Sequence, residues 1–344
     1  MRDVVFRITA LWAFSECALG GLMHAIKTPF TGIVVGGFAV LCVGLLAHAS
    51  HRNPSVILRA TMLVILVKAI VSPHSPPQAY IAVAFQGVLG ALMLGFLRPY
   101  FAAAFLYGLL ALAESALQKL LMLYIFFGKP LFEAADLFVA DVLKKFGLEA
   151  EVSWAAVAAG VYVGIYALWG AVLGYWIPRL PNLLESRAHQ YVDTEASSAE
   201  IDSVGRRKPF WKKMVLLLGV LLFIATTFLL TSSAEGGGSR KALYAVVRTL
   251  AVFAAWLFIV RPLVQMLIQR WAKRKSAEEQ GVLQQLLVAM PDLRSRASSL
   301  LAAVNQRYSG WRRWPELALA LLALALYEHP QAVDTESVSQ GKAP

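Results

Sequence analysis

Long apolar runs separated by short polar segments make up most of the sequence as far as residue 260. A helix needs roughly 20 mostly apolar residues to cross the hydrocarbon core of a bilayer. Eight runs reach or approach that length, the third being the shortest at 16 residues. The pattern predicts membrane spans at about 4–26, 30–49, 56–71, 79–97, 100–127, 153–177, 213–232 and 242–260.

Composition supports a polytopic membrane protein. The 344 residues are 58% hydrophobic and 15% charged, and the mean hydropathy is +0.60, whereas soluble domains carry about 25% charged residues. A net charge of +11 could indicate nucleic-acid binding. However, the basic residues form short clusters between apolar runs, as topology signals do, so we expect no nucleic-acid partner. No small-residue cleavage site clearly follows the first run, which we interpret as a retained span.

The polar stretch "ESRAHQYVDTEASSAEIDSVGRRK" after the sixth span indicates an exposed linker. The predicted fold is an all-α membrane bundle with a six-helix core, two further spans and amphipathic helices. In the C-terminal part, Ser276 and Glu279 form a capping box that starts one helix, and Pro291 opens another. The predicted units are a six-span domain at 1–181, a cytoplasmic linker at 182–209, a two-span hairpin at 210–262, cytoplasmic or interfacial helices at 263–330 and a disordered tail at 331–344.

The distribution of Lys and Arg predicts the orientation. Basic residues cluster at 179–213 and 261–275, while the predicted outer segment "SPHSPPQ" has no charge and 128–152 leans acidic. Because cytoplasmic loops are enriched in Lys and Arg, we expect a multi-pass protein with both termini in the cytoplasm.

Small residues recur every fourth position along the first predicted span. Such a face lets helix backbones approach closely in lipid. Two interpretations stay open: the face packs within the bundle, or it docks a partner subunit. The docking residues would be Ala13, Cys17, Gly21 and Ala25.

Several ionisable or amide side chains lie inside predicted spans. Charged groups at membrane depth are costly, so they usually face the interior and pair with one another. Glu16 and Lys68 are therefore expected to form a structural ion pair, with Glu114–Lys68 as the alternative. A ligand or ion pathway through the same residues is the other open interpretation.

The predicted outer turns bring two histidines and a lysine to one side of the membrane, where they would favour a ligand with negative or hydrogen-bond-accepting groups. Two histidines without Cys or carboxylate at ligand spacing do not indicate a metal site, and no cofactor is expected. The predicted ligand site comprises His24, Lys27, Phe30, His74, Glu114, Gln118 and Lys119.

Catalytic and nucleotide-binding templates are missing from the sequence. "EGGGSRKA" has glycines but not the spacing of a phosphate-binding loop, and neither H-E-x-x-H nor G-x-S-x-G occurs. Glu114 and Lys119 could serve acid–base roles in an intramembrane enzyme, but no motif supports this. Any energised transport would depend on a partner that hydrolyses nucleotide.

Residues 1–181 resemble the substrate-binding (S) component of an energy-coupling factor (ECF) vitamin transporter. The resemblance lies in "HAIKTPFTGIVVGGFAVLCVGLLA" and in "ILRATMLVILVKAIVSPHSPPQAYIAVAFQGVLGALMLGF". It implies a bacterial inner-membrane subunit that binds a small vitamin-like or cofactor-precursor molecule from outside. It also implies partner ATPases and a membrane coupling subunit that docks on the small-residue face.

Residues 210–330 are faintly similar to the coupling (T) subunit of the same transporters. The cytoplasmic helices of that subunit carry an Ala-Arg-Gly signature, which "MPDLRSRASSLLAAV" lacks. The alternative function is a membrane scaffold or assembly subunit that takes no part in transport.

The predicted topology can be tested by cysteine labelling in intact cells. A cysteine placed in "SPHSPPQ" should react with an impermeant maleimide, and one placed in 190–205 should not. The unmodified chain, with Cys17 and Cys42 inside apolar runs, is the control. Reversed labelling would overturn the orientation.

Overall fold

The computed structural model describes residues 2–26, 31–72, 75–146, 152–192, 238–273 and 277–327. The structure is 93% helical, and none of the described residues lies in a strand. The predicted all-α bundle is therefore confirmed as a fold class.

Seven helices cover the described residues as far as the start of α8. They are α1 (Arg2–Ile26), α2 (Thr31–Ala49), α3 (Pro54–Val71), α4 (Pro77–Phe96), α5 (Tyr100–Phe127), α6 (Lys129–Lys145) and α7 (Trp154–Trp176). A 3₁₀ turn then leads into α8 (Leu180–Val192). The C-terminal part contains α9 (Gly238–Ala255), a π-helical turn (Trp256–Val260), α10 (Arg261–Lys273), α11 (Ala277–Arg307) and α12 (Arg313–Tyr327).

Among the described residues, six segments are long and apolar enough to cross a membrane. They are Gly32–Ala49, Pro54–Val71, Pro77–Phe96, Tyr100–Phe127, Trp154–Ser186 and Val246–Trp271. These segments support a multi-pass membrane protein. The first predicted span lies within the 25-residue α1, which is not one of these six segments. The predicted span 213–232 lies outside the described residues.

Local sequence signals explain where several helices begin. The Asn53 side chain accepts a hydrogen bond from the Ser55 backbone at 3.0 Å, and Pro54 occupies the first turn of α3. Ser153 caps α7 in the same way. Asp136 of α6 accepts bonds from the Ser153 hydroxyl and the Ala155 backbone, both at 2.8 Å, and so ties α6 to the start of α7.

Helices α5 and α7 pack backbone against backbone through glycines. A Cβ atom at Gly108 would collide with the backbone oxygen of Gly170, and one at Gly170 would collide with the backbone of Gly108. Gly174 makes a similar approach to the backbone at Ala104. In lipid, where no hydrophobic force joins helices, this direct backbone contact is a principal source of packing energy.

The structure differs from the sequence analysis in three places. The segment 128–152, predicted as a loop, contains α6, an amphipathic helix with two i,i+4 ion pairs. Helical structure continues to Val192, within the segment predicted as a linker. The prediction that Pro291 opens a new helix is wrong, because Pro291 lies inside α11. A proline inside a helix removes one backbone hydrogen bond. The helix continues through Pro291 because residues on both sides of it, Leu286 and Leu300, are packed in the core.

Helix α12 packs on the bundle. Its residues Leu321 and Leu322 are buried in the same hydrophobic core as α1, and the helix contacts α1, α8 and α11. The sequence analysis predicts cytoplasmic or interfacial helices at 263–330, and the structure adds that the last of them is packed against α1, α8 and α11.

The α5–α7 contact predicts a difference between two glycines of α7. Gly170→Ala should lower the free energy of unfolding by about 1–3 kcal/mol, because overpacking must push two backbones apart. Gly164→Ala is the matched control, since nothing lies within 4 Å of a Cβ there. The control should be neutral or stabilising by up to about 1 kcal/mol. Unfolding in SDS-containing micelles measures both, and equal effects would contradict the close contact.

Candidate functional site

A cavity of about 620 Å³ lies between α1, α2, α3, α4, α5 and α7. It occupies one half of the bundle, where α1, α3 and α5 end and α2, α4 and α7 begin. The polar residues that line it are Glu16, Lys68, Gln78, Gln86, Ser115, Gln118, Lys119 and Tyr162. The apolar walls include Met122, Leu123 and Phe126 of α5.

One wall of the cavity is a buried ion pair. Lys68 Nζ donates a hydrogen bond to Glu16 Oε2 at 2.6 Å, and both side chains are buried. The pair joins α1 to α3 across 52 residues of sequence. Each charge lowers the cost of burying the other, so the two residues form a unit that is far less stable with one member removed.

A chain of hydrogen bonds joins α5 to α7 on another wall. Lys119 Nζ donates to the Tyr166 hydroxyl at 3.3 Å, and the Tyr162 hydroxyl donates to the same oxygen at 3.0 Å. The two tyrosine rings lie 4.8 Å apart between centroids. Tyr162 also lines the cavity, so this hydrogen-bonded chain reaches its wall.

Amide side chains on α4 and α5 line the cavity as well. Gln118 Nε2 donates to the backbone oxygen of Gln78 at 3.0 Å and so links the two helices. Gln78 Oε1 and Glu114 Oε2 are buried without a hydrogen-bond partner in the structure. Gln86, which is only 2% exposed, also lines the cavity and lies about two helical turns further along α4 than Gln78.

Gly36 of α2 makes room for the deepest amide. A Cβ atom at Gly36 would lie 3.1 Å from Gln86 Nε2 and 3.1 Å from a methyl group of Leu112. The Ser115 hydroxyl would lie 3.5 Å from the same point. Gln86 and Ser115 therefore both lie close to Gly36, where any side chain would crowd them.

Four of the residues singled out from the sequence meet at this cavity: Glu16, Lys68, Gln118 and Lys119. Glu16 pairs with Lys68, the first of the two pairings considered. Glu114 lies one turn before Gln118 on α5 and is not among the lining residues. His24 lies on α1 but its side chain is outside the description, and Lys27, Phe30 and His74 lie outside the described residues, so their roles stay predictions.

The small-residue face of α1 is described only in its first half. Ala13 is completely buried, and Cys17 is half-buried against the core. At Ala13 the face therefore packs within the bundle. The side chains of Gly21 and Ala25 are outside the description, and docking through this face stays a prediction.

Sequence reasoning missed Gln78, Gln86, Ser115 and Tyr162, because it searched the spans for charges. A signal was present: Gln86 is the single polar side chain in the 16-residue run "IAVAFQGVLGALMLGF". A lone amide in such a run carries a desolvation cost that requires a partner. Among the described residues, no group of three or more His, Cys, Asp or Glu could hold a metal ion.

Comparison with known proteins finds no matching family, no matching curated protein and no matching solved structure for this chain.

The buried ion pair gives a stability prediction. Glu16→Ala should lower the free energy of unfolding by about 3–5 kcal/mol, because Lys68 is left buried without its carboxylate. The double variant Glu16→Leu/Lys68→Leu should recover most of that loss. Asp141→Ala, which breaks the exposed pair with Lys145, is the control and should cost less than about 1 kcal/mol. A double variant as unstable as the single one would contradict this account of the pair.

Proposed function

We propose that this chain is a membrane-embedded substrate-binding subunit for uptake of a small vitamin-like or cofactor-precursor molecule. A separate ATPase, acting through a membrane coupling subunit, supplies the energy. The subunit resides in the bacterial inner membrane with both termini in the cytoplasm, and it binds its ligand from the outside.

The observation that carries the proposal is the cavity within the bundle. Its volume of about 620 Å³ falls within the range of small-molecule sites, which are mostly apolar with a few converging polar groups. The cavity matches that description, because amide, hydroxyl and charged groups from α1, α3, α4, α5 and α7 meet among apolar walls. A bundle that served only as a scaffold would gain packing energy by filling this space.

The position of the cavity supports binding from outside. It lies at the end of the bundle where α3 is joined to α4 through the uncharged "SPHSPPQ" segment. The basic clusters at 179–213 and 261–275 belong to the opposite side in the predicted topology. The cavity therefore faces away from the compartment that holds the ATPases.

The resemblance to the S component of ECF transporters supports the same assignment. The chain lacks a phosphate-binding loop in its sequence, so the ATPase is a different subunit. In this proposal, the coupling subunit contacts the outer part of the small-residue face on α1, at Gly21 and Ala25. Ala13 is excluded from that contact because it is buried within the bundle.

A second candidate function, a scaffold subunit of a larger membrane complex, is favoured by one observation. In the segment Val246–Trp271, Thr249 is buried, but the large apolar side chains Val247, Leu250, Phe258, Ile259, Leu263 and Leu267 are all exposed. A scaffold would cover that segment with a partner, whereas a transporter subunit could leave it to lipid. Co-purification of a stable protein partner together with an empty cavity would favour the scaffold.

Ligand retention tests the proposed function. Protein purified in mild detergent should carry a small molecule that native mass spectrometry detects. Ala82→Phe places a large side chain in the cavity and should abolish retention. Val88→Phe is the matched control, because Val88 is exposed on the same helix and does not line the cavity, so the ligand should remain. An empty wild-type protein, or equal retention in both variants, would overturn the proposal.

A further inference from the structure

Gln86 is the most thoroughly buried uncharged polar side chain of the cavity. It is 2% exposed and lines the cavity from α4. A primary amide has two donors and an acceptor, and these groups need partners when they lie away from bulk water. The cavity therefore presents a nearly buried amide to a molecule that enters it.

The surroundings of Gln86 indicate that its amide serves a bound molecule. Gly36 leaves the amide nitrogen uncovered on the α2 side, where a Cβ atom would lie only 3.1 Å away. The Ser115 hydroxyl already donates its proton to the backbone oxygen of Ala111 at 3.2 Å, so this proton is not available to Gln86. A Leu112 methyl group, which offers no hydrogen bond, would lie 3.1 Å from the same Cβ position.

A second amide lies on the same face of α4. Gln78 precedes Gln86 by eight residues, which places it two turns, or roughly 12 Å, nearer the end of the helix. Gln78 Oε1 is also buried without a hydrogen-bond partner in the structure. The Gln78 backbone oxygen is occupied by Gln118. Two glutamines of α4 thus line the same cavity as the apolar side chains Met122 and Leu123 of α5.

Since a glutamine amide can donate and accept at adjacent atoms, its best complement is a group that does the same. We infer that the cavity selects ligands that carry an N–H donor beside a carbonyl acceptor, as amides, lactams and pyrimidinones do, and that Gln86 pairs with this group. The inference rests on the proposed function and names the substrate class of the same site. The apolar part of the ligand lies against α5, and Tyr162 covers its flat face.

Three probes of similar shape separate this class from others. They are benzamide, with donor and acceptor; N,N-dimethylbenzamide, with acceptor only; and benzoate, an anion. Binding is measured by ligand-observed NMR on the full chain in lipid nanodiscs. Benzamide should bind about tenfold more tightly than either of the others, because a lost hydrogen bond to a buried group costs about one factor of ten in affinity.

Two variants locate the selectivity. Gln86→Leu should reduce benzamide binding to the level of dimethylbenzamide, and Gln86→Met replaces it if the leucine variant does not fold. Gln284→Leu, the same change at an exposed glutamine of α11 that does not line the cavity, should keep the tenfold preference. Without ligand, Gln86→Leu should melt at the same temperature as the wild type or higher, because it removes a polar group that is nearly buried in the cavity wall.

Several outcomes would overturn the inference. Tightest binding of benzoate would assign anion recognition to the cavity, and equal loss in both glutamine variants would place the selectivity elsewhere. A lower melting temperature for Gln86→Leu would show that the amide is structural. If wild-type protein retains its own small molecule but does not rank the probes, this inference fails and the proposed function stands. If it retains nothing and binds no probe, both fail.

Discussion

The structure depends on the rule that a polar group away from water must find its partner inside the protein. The pair Glu16–Lys68 shows how this chain meets that rule. Neither charge could lie at this depth alone, so α1 and α3 must be neighbours and in register. This interaction fixes one side of the bundle and leaves α2, α4, α5 and α7 to enclose the remaining space. The cavity lies directly beside the pair, because Glu16 and Lys68 also form its wall.

Polar side chains are distributed unevenly in the bundle. At the predicted cytoplasmic end of α4, Arg52 donates to the backbone oxygen of Leu94 at 2.7 Å and lies over the Tyr100 ring, so its charge stabilises a helix end. At the opposite end, Gln78, Gln86 and Gln118 line the cavity, and Gln118 also links α5 to α4. Polar side chains thus stabilise a helix end in one half of the bundle, whereas in the other half they both line the cavity and join helices.

The sequence predicted the fold class because apolar run length is a strong signal in membrane proteins. The pairing of Glu16 with Lys68 followed from the cost of isolated charges. The α6 helix was missed because charged residues interrupt its apolar residues, so the segment has no apolar run long enough to indicate a span. Gln86 was missed because an uncharged amide costs less than a charge and stands out less in an apolar run. The roles of Lys27, Phe30 and His74 stay predictions, since these residues lie outside the described part of the chain. The cavity lies between six helices. Its position depends on how these helices pack in three dimensions, and no single apolar run of the sequence contains that information.

The backbone contact between α5 and α7 also has a mechanical consequence. Because Gly108 and Gly170 leave no side-chain layer between α5 and α7, these helices cannot slide or separate without breaking this backbone contact. The two helices therefore form one rigid unit. Asp136 of α6 is hydrogen-bonded to the start of α7 and so adds α6 to it. On the other side of the cavity, α4 packs closely on α3 and α2, because a Cβ atom at Gly87 would collide with Thr61 and one at Gly90 would collide with Val43. Glycine contacts thus hold the helices on both sides of the cavity, so its width is set by the spacing of the backbones.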